Sequence, residues 1–339
     1  MKWLVTGGAG FIGSNVAKRL IDEAHKVIIF DNLSRKGTDL NLGWLKEQGQ
    51  FEFIKGDVRN YIQLVNVFKK HKDIDVVIHE AGQVAVTTSV TNPREDFNIN
   101  AVGTFNVCEV IREYSPEAIL LNASTNKVYG KMEHVRVIER NGRYQYADLK
   151  FCVSEKQPLD FHSPYGCSKG AAEQYVKDYS KIYGLRTVNF RQSCIYGYRQ
   201  FGIEDQGWVA WFTIAAVLDK HIVIYGDGKQ VRDVLFVTDL IECYFRAVDN
   251  INLTNGKVYN IGGGEANQLS LMELISILEE ISSKKIKYSF NDWRPGDQKI
   301  FVCQIKRALD DFGWKPKVSI SEGIKKLYEW VIENRDLFI

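Results

Sequence analysis

Short apolar runs alternate along the first half of the chain with longer stretches in which apolar side chains recur at helical spacing. The runs are Trp3–Thr6, Val27–Phe30, Phe51–Ile54, Val76–Ile78 and Ala118–Leu121. Each has the length of a buried strand, and the segments between them are long enough to hold crossover helices. Repeated strand–helix units predict an α/β protein built on a doubly wound parallel sheet. A long helix is expected from Tyr165 and a sixth strand at Thr187–Arg191. The stretch 131–160 is polar and aromatic without helical periodicity, and reads as an insertion over the active-site side. Beyond Arg191 the pattern shortens. It predicts a helix near Gln206–Leu218, strands near Ile222–Tyr225 and Val258–Ile261, and helices near Leu271–Ile281 and Glu322–Ile332. The expected division is a larger domain over 1–191 and a smaller C-terminal α/β lobe over 192–339.

Composition narrows the classes of function. A hydrophobic fraction of 45% over 339 residues supplies a sizeable core, and a net charge of +2 sets up no global field toward nucleic acid or membrane. A small anionic ligand would need only a local basic cluster. Cys108, Cys152, Cys167, Cys194, Cys243 and Cys303 are scattered, with no C-x-x-C pair and no grouping with histidine, so reduced thiols and no metal site are expected. A strand that opens at Trp3 leaves no leader peptide, and no apolar run approaches the ~18 residues of a membrane span. A soluble, cytoplasmic protein is the expectation.

Directly after the first strand comes Thr6-Gly-Gly-Ala-Gly-Phe-Ile-Gly13, with glycines at 7, 10 and 13, and then a helical pattern to Ala24. Strand, glycine turn and helix in this order let backbone N–H groups and a helix N-terminus receive a pyrophosphate, which makes the first domain a Rossmann candidate. Asp31 closes the second strand, where a carboxylate accepts from both adenosine ribose hydroxyls and repels a 2′-phosphate. That favours NAD over NADP. The competing reading of Asp31 is a turn-forming Asp in Asp-Asn, and Arg35 weighs the other way because it could pair with a phosphate. Asp57, after the third strand, either holds the adenine amino group or caps a helix. Small residues in Ala81-Gly82-Gln83, after the fourth strand, let a cofactor lie close to the backbone.

Tyr165-Gly-Cys-Ser-Lys169 places a phenol and an ammonium at i and i+4 on one helix face. A free tyrosine titrates near 10. Lys169 and a positive nicotinamide ring would both favour the phenolate, so Tyr165 is a candidate base. Ser124-Thr125, at the end of the fifth strand, offers a hydroxyl to the substrate oxygen.

The Gly-Gly-Ala-Gly-Phe-Ile-Gly turn, Ser124-Thr-Asn-Lys-Val-Tyr-Gly130 and Tyr165-x-x-x-Lys169 together resemble the extended short-chain dehydrogenases, the group of nucleotide-sugar epimerases and dehydratases. The resemblance spans nearly the whole chain. It implies a catalytic triad of Thr125, Tyr165 and Lys169, and a cofactor site that adds Phe11, Ile12, Asn32, Ser34, Val58, Asn100 and Gln192. Homo-oligomers are also implied. A 4,6-dehydratase of this group would carry Asp-Glu straight after the threonine, whereas Asn126-Lys127 stands here, so elimination lacks its proton carriers. Phe30–Gly37, Leu159–Lys169, Arg199–Gly202 and Asp205–Val209 resemble the branch that inverts C2 of a CDP-linked sugar. A net dehydrogenase exchanging its cofactor is the reading from another class, and an inert NAD-binding scaffold is a third.

In the C-terminal lobe, Gly226-Asp-Gly-Lys-Gln-Val-Arg-Asp233 and Trp293-Arg-Pro-Gly-Asp297 place Arg232 and Arg294 as guanidinium forks for a diphosphate, with Asp297 accepting from a ribose hydroxyl. Gln206, Trp208 and Val209 are expected to border the base, with Tyr225 as an aromatic wall. Pro-Gly between Arg294 and Asp297 departs from the pattern of that branch and bears on sugar selectivity.

Overall fold

A computed structural model describes residues 1–148, 150–294 and 297–339. Strands β1 (Lys2–Thr6), β2 (Lys26–Asp31), β3 (Glu52–Lys55), β4 (Val76–His79) and β5 (Ile119–Thr125) alternate with α1 (Phe11–Asp22), α2 (Thr38–Gln48), α3 (Tyr61–Lys70), α4 (Val86–Thr91), α5 (Pro93–Phe97) and α6 (Gly103–Tyr114). A π-helical turn, Asn98–Val102, joins α5 to α6. A hairpin of β6 (Val137–Arg140) and β7 (Arg143–Tyr146) precedes α7 (Ser163–Tyr183) and β8 (Arg186–Gln192). There follow β9 (Cys194–Tyr196), α8 (Trp208–Val217), β10 (Ile222–Tyr225), β11 (Val231–Phe236), α9 (Val237–Asp249), α10 (Ile251–Thr254) and β12 (Lys257–Ile261). The chain ends through β13 (Gln268–Ser270), α11 (Leu271–Ser282), β14 (Tyr288–Asn291), β15 (Ile300–Phe301), α12 (Lys306–Phe312) and α13 (Ile320–Glu333).

The main sheet has seven strands in the order β12-β8-β5-β4-β1-β2-β3, all parallel. Successive side chains point to opposite faces, so each apolar run feeds two cores. Trp3, Val5, Val27 and Ile29 pack with α1 and α9 on one face, while Leu4, Ile28, Phe30 and Val77 pack with α3, α6 and α7 on the other. Order reverses between β1 and β4, and a ligand crevice opens there beyond the strands' C-terminal ends. Helix α7 begins with Pro164 in its first turn and stops at Gly184, whose φ of 73° is left-handed.

Two expectations need correction. The strand expected at Val258–Ile261 in the second lobe is β12, paired with β8 as the edge of the main sheet, and α9 covers that sheet too. The chain thus leaves the main sheet after β8 and returns to it in β12. The insertion is also misplaced: no described residue of 131–160 lines either cleft described below. Its hairpin instead buttresses the second lobe. Tyr144 and Tyr146 pack against Val231 and Phe301, Tyr144 Oη donates to Asp227 at 2.7 Å, and Arg143 meets Glu273 at 2.9 Å. Among the described residues no helix is long and apolar enough to cross a membrane.

Candidate active site

Gly7 takes a φ of 69°, and a Cβ there would stand 2.6 Å from the Ala81 nitrogen, so the ends of β1 and β4 meet only because the side chain is absent. A Cβ on Gly13 would collide with the Gly7 carbonyl. The bare backbone and the N-terminus of α1 leave a groove of about 1100 Å³, lined by Gly7, Gly10, Phe11, Ile12 and Gly13 and continuing past Asp31, Asn32, Ser34 and Arg35 to Asp57 and Val58. Asp31 does two jobs there. Its carboxylate accepts from Leu33 N at 2.8 Å, forming the turn, and from Ala9 N at 3.0 Å, tying the glycine loop to β2. Burial raises its pKa against these donors. Hydrogen bonds from Arg59 hold Asp57 at about 2, and Asn32 donates to it at 2.9 Å. Asp57 caps no helix, since Asn60 accepts from Gln63 N at the start of α3.

Ala81 and Gly82 line the middle of the groove, but five expected cofactor ligands, Gln83, Asn100, Tyr165, Lys169 and Gln192, do not. Asn100, set in the π-helical turn, lies behind the β4 turn, where it accepts from Gln83 N at 3.0 Å and donates to Gln83 O, Asp96 and Ser168 at 3.1 Å each. The Gln83 side chain folds back onto Ala85 O and Asp96. Gln192 donates to Tyr244 Oη at 2.6 Å. These residues shape the wall through neighbours instead of facing the groove.

Thr125, at the end of β5, and Tyr165 and Lys169, in the first turns of α7, are all buried, and none of the three lines the groove or the cleft described below. A Cβ on Gly82 would stand 3.8 Å from Lys169 Nζ, so the ammonium faces the β4 turn. Burial pushes Tyr165 up to about 12, Thr125 lowers it by hydrogen bonding, and Arg35 lowers it by charge. Lys169 is not among the chief influences, contrary to expectation, and burial lowers its own pKa. Tyr165 is thus a phenol at neutral pH. Behind it, Glu173 of α7 accepts from Ser124 at 2.6 Å and pairs with Arg191 of β8 at 2.5 Å. Arg191 also donates to Tyr129 Oη at 2.8 Å, which donates to Asn260 of β12 at 2.7 Å. This buried network pins α7 to the sheet and so fixes Tyr165 relative to Thr125.

A second cleft, of about 1160 Å³, adjoins the groove, with Val84 and Gln206 lining both. Arg35 donates to Gln206 across the junction. Trp208, Tyr225, Arg232, Arg294 and Asp297 line the cleft as expected, while Val209, 2% exposed, belongs to the lobe's core. Arg232 and Asp297 are already paired at 2.6 Å. The Arg294 guanidinium lies 3.9 Å over the Tyr225 ring and pairs with Asp205 at 3.0 Å. Pro295 and Gly296 lie outside the described residues. Lys127 lines the same cleft and was missed, because the sequence reading treated it only as the residue standing where a dehydratase has an acid. Burial and the neighbouring Arg232 lower its pKa to about 8. Gln230 Oε1, buried in this wall, has no partner among the described residues.

A glycine-cradled dinucleotide groove, a Thr–Tyr–Lys constellation and an adjoining cationic cleft define an extended short-chain dehydrogenase. The chain belongs to the family described as GDP-mannose 4,6 dehydratase, whose model matches residues 4–327. It is 46% identical to CDP-paratose 2-epimerase of Salmonella typhi, over 97% of this chain and 99% of that protein. Two solved structures are also similar. UDP-glucuronic acid 4-epimerase from Bacillus cereus, in complex with UDP-glucuronic acid and NAD, has a TM-score of 0.85 at 29% identity, covering 98% of this chain and 100% of that one. UDP-glucose 4-epimerase from Thermotoga maritima, with UDP-glucose, has a TM-score of 0.84 at 28% identity, covering 99% and 100%.

Proposed function

We propose that this chain is an NAD-dependent nucleotide-sugar epimerase that inverts C2 of CDP-paratose to give CDP-tyvelose. The observation that carries the reading is that Thr125 hydrogen-bonds Tyr165 within reach of the charge of Arg35, which lines the dinucleotide groove and donates to Gln206 of the cationic cleft. The 46% identity to a CDP-paratose 2-epimerase supports the choice of sugar and of carbon.

The residues of the groove fit NAD. Gly7, Gly10 and Gly13 leave the space a pyrophosphate needs, Asp31 offers remaining lone pairs to a ribose diol, and its negative charge opposes a 2′-phosphate. When bound, NAD supplies a reversible hydride acceptor and a positive ring. A positive charge in the groove would lower the pKa of Tyr165 from its high resting value, so that its own proton is lost to solvent and the phenolate Oη can take the proton of the sugar hydroxyl. Thr125 Oγ1 hydrogen-bonds the same oxygen and steadies the charge that develops on it. Arg232, Lys127 and Arg294 hold the diphosphate in the cleft, which anchors the nucleotide while the sugar turns its other face. No acidic pair follows Thr125, so water loss has no proton carrier. A preference for CDP and assembly into homo-oligomers belong to the same proposal.

Proton NMR of products from a panel of CDP- and UDP-sugars tests it. Inversion at C2 of CDP-paratose is expected, with deuterium placed at C2 retained and none gained from heavy water. Inversion of CDP-glucose alone would move the assignment to another C2 epimerase, and inversion at C4 of a UDP-sugar would make the chain a 4-epimerase. Accumulation of free NADH would mark a net dehydrogenase.

A further inference from the structure

Glu80, Tyr244 and Gln192 form a polar cluster on the groove wall to which none of the roles above gives a use. Glu80 follows β4, and its side chain lines the same groove as Gly7 and Ala81. Its neighbour His79 faces the opposite way, held by Thr6 at 2.7 Å and Thr104 at 3.0 Å and kept neutral by burial, which lowers its pKa to about 3. From α9, Tyr244 Oη donates to Glu80 Oε1 at 2.5 Å, and Gln192 Nε2 donates to that phenol oxygen at 2.6 Å. Amide, phenol and carboxyl thus form a chain whose donors all point toward Glu80, the polarity that holds an anion. Lys169, from α7, pulls the same way by its charge, while burial pushes Glu80 up to about 7. Tyr165, also from α7, feels the Glu80 charge in turn.

Glu80 therefore sits at the reacting end of the groove, with Tyr165 and Lys169, and away from Asp31 and Asp57. That is where the two redox forms of a nicotinamide dinucleotide differ. The oxidised ring is a cation and the reduced ring is neutral, so a fixed anion there binds one more tightly than the other. We propose that Glu80 makes the groove select the oxidised dinucleotide over the reduced one, with Tyr244 and Gln192 as the residues that keep its carboxylate ionised and oriented. The inference rests on the NAD reading above. Its consequence is an enzyme whose cofactor rests oxidised, ready to accept from substrate, and whose reduced state is disfavoured unless a keto-sugar is present to reoxidise it. Linkage runs both ways, because the cation that Glu80 favours also keeps Glu80 ionised.

The test is a binding ratio, separate from turnover. The full-length protein is equilibrated with mixtures of NAD⁺ and NADH between about pH 6 and about pH 9, and the bound ratio is read by near-ultraviolet absorbance after rapid gel filtration. The intact protein should favour NAD⁺ increasingly as pH climbs through about 7 and Glu80 loses its proton. Glu80→Gln, which keeps the size and a hydrogen-bonding oxygen, should lower the high-pH ratio about tenfold and abolish its pH dependence. Tyr244→Phe should keep the high-pH plateau but move the rise to higher pH, since it removes a donor and no charge. Equal ratios in the intact protein and Glu80→Gln would overturn the proposal while leaving NAD as the cofactor. Loss of the plateau in Tyr244→Phe alone would overturn it by assigning the selection to the phenol. Failure of both forms to bind the intact protein would remove the NAD reading, and this inference with it.

Discussion

Arg232 of β11 and Asp297 hold each other at 2.6 Å in the wall of the second cleft, so the guanidinium proposed to hold a diphosphate is partly neutralised before any ligand arrives. A ligand's phosphates would compete with Asp297 or share Arg232 with it. Arg232→Ala removes a charge-assisted contact made in ground and transition states alike, and should raise KM about tenfold with kcat little changed. Asp297→Asn should have a smaller effect, because it frees Arg232 while weakening any contact to the ribose. Steady-state kinetics on both variants checks the order.

Tyr165→Phe should leave dinucleotide and nucleotide binding within about twofold and lower kcat by about a thousandfold, since the ring stays and only the proton acceptor goes. Thr125→Val should lower kcat less, because it removes one hydrogen bond to the same oxygen. Calorimetric binding alongside kcat separates a chemical defect from a binding one.

Lys127 gives the cleft a pH limit. Its pKa is lowered to about 8, and a bound diphosphate favours the ammonium, so affinity for the sugar nucleotide is full below that value and falls as pH rises through it. KM measured across this range should climb several-fold on the alkaline side in the intact enzyme. Lys127→Met should begin with a higher KM and show a flat profile there.

Glu173 and Arg191 are 0% and 5% exposed, so either alone would be an unpaired charge in the core. Glu173→Ala should cost about 3–5 kcal/mol of stability, read as a lower urea midpoint. Replacing both with apolar residues of similar volume should restore much of it. Since Ser124 and α7 hang on the same network, the single variant should also lose turnover under conditions where it remains folded.

Much of the sheet was legible because both its faces are covered. Strands such as Trp3–Thr6 and Val76–Ile78 stand out as unbroken apolar runs, and the glycine turn declares itself by spacing. β11 and the hairpin were not legible. Val231-Arg-Asp-Val mixes charge into a strand whose Arg232 lines the cleft, and beyond its hairpin partner Arg143-Tyr-Gln-Tyr gains contacts from residues 227–232, 268–273 and 300–303, distant in sequence. At the site, glycines and the Tyr–Lys pair show because their roles depend on local spacing. Asn100, Gln83 and Gln192 were misplaced because whether a polar side chain faces a groove or braces its wall is decided by tertiary neighbours. Glu80 escaped for the same reason: nothing in His-Glu-Ala-Gly reveals Tyr244 waiting on a helix far along the chain.

The edge strand β12 carries a lesson about how the protein is made. While the chain emerges from the ribosome, β8 stands with one flank of its N–H and C=O groups unpaired until Lys257–Ile261 arrive to pair them. α12, which packs behind that edge, comes later still. A nascent chain therefore passes through a long interval with an open strand edge, the form most prone to pair with its own copies. Cutting the gene after residue 192 would not yield a minimal cofactor-binding domain. It would freeze the nascent chain in its stickiest state, so residues well beyond β8 have to be synthesised before the main sheet can close its edge.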